Sequence, residues 1–340
     1  MIHTLQQLLD RPRPWRHLHH PPALAERHEV TTRDGLRLHL RRVRRLDAKP
    51  DRPAVMLLHG LAANHRGLHF GERSLAEWLA DRGFDVWLPE LRGHGDSDFE
   101  RYDWRIDHYL EHDIPAILEG IRRLADVDLV HWVGHSMGGV LLMCYGILQP
   151  EAPIARGVAV GSALDYSVGE TGFKQLLKIR GIIERMGSIP YGMFMHLIAP
   201  AMGRGLRPLE VFNVWPSNIE PEMLRALHAT CFHAIPTSLL GSLATTFEPD
   251  GLSLQNGFRF VPNAPEFPFP IRLLAGSKDA QVSVDAIVHT ADLLGDNAEA
   301  IVHGPERGDN DHYGHWDLLI GRRAPIETWP SIAHWLESDD

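Results

Sequence analysis

Cysteine is nearly absent from this chain of 340 residues, which has only Cys144 and Cys231. That excludes a disulfide scaffold, and Cys144, inside a helix-like run, reads as a buried apolar filler. Long hydrophobic runs are also missing, so no segment is expected to span a membrane. Met1 to Pro22 has no apolar core of signal-peptide length and is broken by Pro12, Pro14, Pro21 and Pro22. A cytoplasmic location is therefore the expectation. Basic residues are in deficit, 34 against 44 acidic, for a net charge of −10. This excludes general nucleic-acid binding, which needs a basic face. The one basic run, Arg41-Arg42-Val43-Arg44-Arg45, reads as the exposed end of an early strand. Histidine, in contrast, is abundant. His17, His19 and His20 lie in a Pro/Arg-rich arm with no Cys or Asp at ligand spacing, so neither a metal site nor a cofactor is expected.

What the chain does have is alternation of short apolar runs with helix-like stretches. His28 to Thr32 and Leu36 to Val43 read as strands joined by a turn at Asp34-Gly35. Ala54 to Leu58, Phe84 to Leu88, Asp128 to Val133, Ile154 to Val160, Ile271 to Ala275 and Ala298 to His303 read as buried strands. Helical spacing appears in Ser74 to Asp81, Tyr109 to Leu124, Gly139 to Leu148, Ala286 to Leu294 and Ile326 to Leu336. This order predicts a mostly parallel, doubly wound sheet with helices on both faces. The rhythm breaks after Asp165, where Met, Phe, Gly and Pro become frequent and amphipathic pieces such as Phe173 to Arg185 and Glu222 to His228 appear. The organisation expected is an arm over residues 1–27, a core over 28–164 and 266–340, and a mainly helical cap inserted over 165–265. In the cap, Ile189 to Met195 offers either packing or the wall of an acyl pocket, and packing is the preferred reading.

The pentapeptide Gly134-His135-Ser136-Met137-Gly138 sits between a strand and a helix. A strand, then G-x-S-x-G, then a helix forms a tight turn that exposes the serine hydroxyl at the helix N-terminus. Glycines are needed there because side chains would collide with neighbouring backbone. A serine hydroxyl is a poor nucleophile at neutral pH, so a base, a residue orienting it and donors for an oxyanion must converge on Ser136. The acid is sought at a strand end. Asp279, just past Gly276, is the choice, with Asp165 after the Ile154–Val160 strand as its rival. The base is sought after the last strand. His303 falls within the strand, and of His312 and His315 the second is chosen because Gly314 frees the backbone before it and apolar Trp316 to Ile320 can anchor the loop. The oxyanion donors expected are the backbone N–H groups of Met137 and Leu61. His59, His94 and His135 read as loop-bracing residues.

These features resemble the α/β-hydrolase superfamily over nearly the whole chain after the arm. Several segments are similar to the acid lipase group that includes the lysosomal and gastric lipases. They are His59-Gly60-Leu61-Ala62-Ala63, Asp85-Val86-Trp87-Leu88 through Arg92-Gly93, His112-Asp113-Ile114-Pro115-Ala116, Tyr313-Gly314-His315-Trp316-Asp317 and Ala324-Pro325. The chain departs from that group in carrying Met137 where it has Gln. The resemblance implies the α/β-hydrolase fold and a triad of Ser136, Asp279 and His315. The expected activity is hydrolysis of carboxylic esters with an apolar acyl or alcohol part, through an acyl-enzyme, on a small and lipid-like ester. Two alternatives remain at this stage: transfer of the same acyl group to an alcohol or amine, and a binding protein without turnover.

Overall fold

A computed structural model describes residues 26–45, 50–71, 73–172 and 187–338. The histidines of the arm, His17, His19 and His20, lie outside the described residues, as does the stretch 173–186 that holds the whole Phe173–Arg185 piece. Eight strands form one sheet: β1 (Glu26–Thr31), β2 (Arg37–Val43), β3 (Ala54–Leu58), β4 (Asp85–Pro89), β5 (Val130–His135), β6 (Ile154–Val160), β9 (Ile271–Gly276) and β10 (Ala298–His303). Their spatial order is β1-β2-β4-β3-β5-β6-β9-β10. The pairs β1/β2 and β2/β4 are antiparallel and all the others are parallel. The first strand begins two residues inside the segment read as an arm.

The central strands are predominantly apolar because both faces of the sheet are covered, and β3 is apolar throughout. Val55 and Leu57 of β3 join one core layer, and Met56 and Leu58 join the other. On one side pack α2 (Ile114–Ala125), α3 (Met137–Leu148) and α8 (Val284–Leu294). On the other pack α1 (Leu75–Ala80) and α9 (Thr328–Glu337). Helix α3 is buried almost throughout, so it carries no polar stripe. Helix α2 is preceded by a π turn over Tyr109–Asp113, which swings Asp113 into the interior.

The residues between β6 and β9 form helices α4 (Tyr191–Ile198), α5 (Arg207–Asn213), α6 (Pro221–Thr230) and α7 (Thr237–Leu243). A two-stranded antiparallel pair, β7 (Ser188–Ile189) with β8 (Ile235–Pro236), ties this insertion together. The order in which strands are added reverses at β3, whose parallel neighbours are β4 on one side and β5 on the other. Such a switch point opens a crevice at the C-terminal ends of its strands, and the loops after β3 and β5 meet there.

The basic run on β2 is not a free patch. Arg42 grips Asp85 with two hydrogen bonds of 2.7 and 2.6 Å, Arg41 binds Asp96 at 2.5 Å, and Arg44 binds Glu26 at 2.8 Å. These arginines are half-buried and neutralised, where the sequence reading had an exposed strand end.

The turn after β5 tolerates no added bulk. A β-carbon on Gly134 would lie 2.3 Å from the carbonyl carbon and oxygen of Gly138. The neighbour is backbone and cannot rotate away. Gly134→Ala is therefore expected to cost at least about 3 kcal/mol, the upper range for overpacking. A urea melt of that variant with an unchanged midpoint would contradict this.

Candidate active site

Ser136 sits between β5 and α3 with φ 53° and ψ −121°, a conformation that non-glycine residues rarely adopt. The surroundings hold it there. Its N–H donates to Val160 O at 2.8 Å, and its carbonyl accepts from Ser162 Oγ at 2.8 Å and from Gly139 N at 2.9 Å. The helix starting at Met137 points its N-terminus at the turn, which favours negative charge beside the serine. Ser162 carried no signal in the sequence reading, because its partner lies on another strand.

His315 Nδ1 donates to Asp279 Oδ2 at 2.8 Å, with the pair almost completely buried. A carboxylate oxygen only accepts, so Nδ1 carries the proton and Nε2 is left as the basic nitrogen. The other oxygen of Asp279 accepts from Gln281 N at 2.8 Å and Val282 N at 3.0 Å, which fixes the carboxylate plane. Gly161, at the end of β6 with φ +58°, makes room for the pair: a β-carbon there would stand 3.1 Å from His315 Nδ1 and 3.3 Å from Asp279 Oδ2. Asp165 is turned elsewhere. It accepts from Ser167 N at 2.8 Å and faces His289 at 3.4 Å. His312 meets Ser277 Oγ at 3.0 Å, and buried His303 meets Asp309 at 3.0 Å. Of the candidates weighed in the sequence, only Asp279 and His315 are joined.

The loop that presents His315 is anchored by a residue the sequence reading passed over. Trp316 to Ile320 was read there as an apolar anchor, and Trp316, Leu318, Leu319 and Ile320 are indeed buried. The anchor within it is polar. Asp317, fully buried, accepts from Gly314 N at 3.0 Å, Trp215 N at 3.0 Å and Asn218 Nδ2 at 3.2 Å. Burial pushes its carboxyl up to about 7 against these donors. Trp316 N also donates to Asn213 O at 2.9 Å.

The loop after β3 approaches the serine closely. A β-carbon on Gly60 would lie 2.8 Å from the β-carbon of Ser136. This places Leu61, the next residue, at the mouth of the turn. Buried histidines brace this loop. His59 donates from Nδ1 to Gly60 O at 2.9 Å and accepts at Nε2 from Leu91 N at 3.2 Å. His94 Nδ1 donates to Arg92 O at 2.9 Å. Desolvation, with its neighbour His94 next, pulls His59 down to about 3, and desolvation pulls His94 down to about 4. His135 Nε2 donates to the carbonyl of His315 at 3.2 Å, and its ring lies 4.7 Å from that of His315.

His233, from the insertion, is a further brace that no motif announced. Its N–H donates to Ala62 O at 2.7 Å, and its Nε2 accepts from Asn64 Nδ2 at 2.9 Å and Gly95 N at 3.2 Å. Burial, then the nearby His94, drops it to about 3. Behind this loop, Arg92 is locked between Asp113, with bonds of 2.8 and 2.6 Å, and Asp34 at 2.8 Å. The two most polar segments of the lipase resemblance, at Arg92 and at Asp113, thus form one internal ion cluster.

Ser136, His135 and His315 line a cavity of about 310 Å³ together with Gly60, Leu61 and Met137. Its remaining wall is almost entirely apolar, with Tyr166 and Trp316 from the sheet side and Ile189, Tyr191, Phe232 and Leu240 from the insertion. The Ile189–Met195 stretch divides between two roles. Ile189 and Tyr191 face the cavity, Met195 is core, and Phe194 is 47% exposed. Among the described residues no group of three or more metal-ligating side chains is gathered, and no helix is long and apolar enough to cross a membrane.

Comparison with known proteins agrees with this architecture. Residues 53–182 match the alpha/beta hydrolase fold family, and residues 24–66 match the partial alpha/beta-hydrolase lipase region. Lipase 3 of Drosophila melanogaster is 31% identical over 141 residues, covering 37% of this chain and 36% of that protein. Human gastric triacylglycerol lipase is 32% identical over 128 residues, covering 33% of this chain and 32% of that protein. The matched region thus spans little more than a third of these relatives' lengths. A thermophilic esterase from Thermogutta terrifontis superimposes with a TM-score of 0.63 at 17% identity, over 92% of this chain and 98% of that one. By its sheet order and its serine turn the chain has the α/β-hydrolase fold, and over about a third of its length it is similar to lipases of the gastric kind.

Proposed function

We propose that this protein is a serine hydrolase of carboxylic esters with an apolar acyl or alcohol part. The observation that carries the reading is the His315–Asp279 hydrogen bond, at 2.8 Å, on the same apolar cavity as a serine in a strained turn. His315 Nε2 takes the Ser136 proton as Oγ attacks the ester carbonyl carbon. The carbonyl oxygen becomes an oxyanion and receives the N–H groups of Met137 and Leu61. The carbon–alkoxide bond breaks, and the leaving alkoxide takes the proton back from His315. Water then gives a proton to His315, attacks the acyl carbon and expels Ser136 Oγ, which is reprotonated. Asp279 holds the imidazole in the required tautomer and stabilises its cation. The insertion acts as the cap that closes the acyl pocket and limits water. The cavity lies at the small end of ligand pockets, roughly 300–1,000 Å³, which favours one acyl chain over several.

The test is turnover of p-nitrophenyl esters from acetate to palmitate, paired with labelling of Ser136 by a fluorophosphonate. Turnover with labelling supports the reading. A folded protein that neither turns over any ester nor takes the label refutes it.

The brace from His233 has a measurable consequence. His233→Ala removes the acceptor that holds Asn64 and Gly95 and slackens the loop carrying Leu61. Loss of an oxyanion donor costs about 10²–10³ in kcat, so slackening it is expected to cost about tenfold, with KM little changed. A KM rise at constant kcat would place His233 in substrate binding instead.

A further inference from the structure

Glycine inside a helix is less stable than alanine, so one that persists needs a reason. Helix α7 (Thr237–Leu243) contains Gly241, and its outward face is accounted for. Ser238 Oγ donates to Trp104 O at 2.8 Å, Ser242 Oγ accepts from Ile106 N at 3.2 Å, and Leu239 is fully buried. These contacts turn the opposite face, with Thr237, Leu240 and Gly241, to the cavity that holds Ser136. A β-carbon built on Gly241 meets no heavy atom within 4 Å. At the other glycines around the serine, Gly60 and Gly134, such a carbon collides with neighbouring atoms. Gly241 is therefore not there for backbone approach, and its φ does not require glycine. What its missing side chain leaves is space in the cavity. The cavity has no Asp, Glu, Lys or Arg among the described residues lining it. Among the described residues of its wall no side chain of fixed charge would pair with a charged acyl group, and burying one unpaired is costly.

We infer that Gly241 sets the acyl-chain length the site accepts, and that the acyl group it accepts is uncharged. This inference rests on the ester hydrolase reading above and deepens it. Each methylene that enters an apolar cavity is worth about fourfold in transition-state binding until the space is full. A side chain at position 241 occupies the volume that the last methylenes would take, while a short acyl group beside Ser136 is untouched.

The test compares kcat/KM over p-nitrophenyl esters from acetate to palmitate for the wild type, Gly241→Ala and Gly241→Leu, with the half-ester of a dicarboxylic acid as a charged probe. The Leu variant is expected to move the optimum to shorter chains by several methylenes, lowering kcat/KM on the longest accepted ester relative to that on acetate. The Ala variant shifts it by about one methylene and melts at a higher temperature, which keeps the test decisive if the Leu variant folds poorly. The charged probe is expected to react at least about a hundredfold more slowly than a neutral ester of equal length. An unchanged chain-length profile in a folded Gly241→Leu or Gly241→Ala protein overturns the role of Gly241, as does equal turnover of the charged probe for the uncharged acyl group. Absence of Ser136-dependent turnover in the wild type defeats the hydrolase reading itself, and this inference with it.

Discussion

Ser136→Ala is expected to lower kcat on any accepted ester by about a million-fold, the scale seen when a serine nucleophile is removed from a triad. The protein should melt at the wild-type temperature. Both halves follow from the same geometry. The serine backbone is held by Val160, Ser162 and Gly139, and these bonds use its N–H and carbonyl, not its hydroxyl. Alanine keeps them, and it keeps the β-carbon that the loop at Gly60 already accommodates. The strain at φ 53° belongs to the turn and remains in the variant. What is lost is the oxygen that the proposed mechanism uses to form the acyl bond. The remaining cavity and N–H groups still bind substrate, so KM for any residual hydrolysis should stay near the wild-type value. The measurement is single-turnover kinetics beside a thermal melt. Substantial activity in the alanine variant would leave His315 activating water directly, and a large drop in melting temperature would mean that the hydroxyl is structural.

Acid is expected to unfold the protein well before carboxylate titration is complete. His59, His94, His131, His228 and His233 are buried, and desolvation holds them at about 3 to 4. Their geometry points the same way: Nε2 of His59 and Nε2 of His233 accept backbone N–H bonds and cannot be protonated without breaking them. In the unfolded chain these groups titrate near 6.5. Between those values the unfolded state binds protons that the folded state refuses, so stability is complete above about 6.5 and is lost as pH falls toward 4. A histidine lowered to about 4 corresponds to roughly 3 kcal/mol, and a domain has about 5–15 kcal/mol in total. Asp317 works in the opposite sense. Its carboxyl, raised to about 7, gains stability as pH falls from 7 toward its unfolded value. One such group is outweighed by the histidines together. Melting temperature should be flat from about pH 7 upward and fall steeply between about 6 and 4. A flat profile down to pH 4 would show that water reaches these imidazoles.

Much of this arrangement was legible in sequence because it is local. Ala54–Leu58 and Ile154–Val160 are strands at the boundaries read in the sequence, since parallel strands buried on both faces are predominantly apolar, with Arg156 the one charged residue in the second. The serine turn announces itself through glycines that backbone contacts require. Asp279 was chosen with Asp165 as its rival, because each follows a parallel strand, and three-dimensional packing turns the first toward His315 and the second toward Ser167. Ser162, His233 and Asp317 act across long sequence separations and have no periodic signature. The β7–β8 pair is two residues per strand, too short to show alternation. The π turn at Tyr109–Asp113 is hidden because its apolar spacing passes for an ordinary helix.

The insertion between β6 and β9 holds the loops beside Ser136 and around His315 from above. Its His233 N–H binds Ala62, its Asn213 carbonyl receives Trp316 N–H, and its Trp215 N–H reaches Asp317. The first contact steadies the loop beside the serine, and the other two steady the loop that bears His315. A minimal version of this protein, trimmed to the sheet and its flanking helices, would lose both supports at once. Exchanging the whole insertion for that of another protein would therefore alter the setting of both loops together with the cavity wall, whereas a single substitution such as that at Gly241 touches the wall alone.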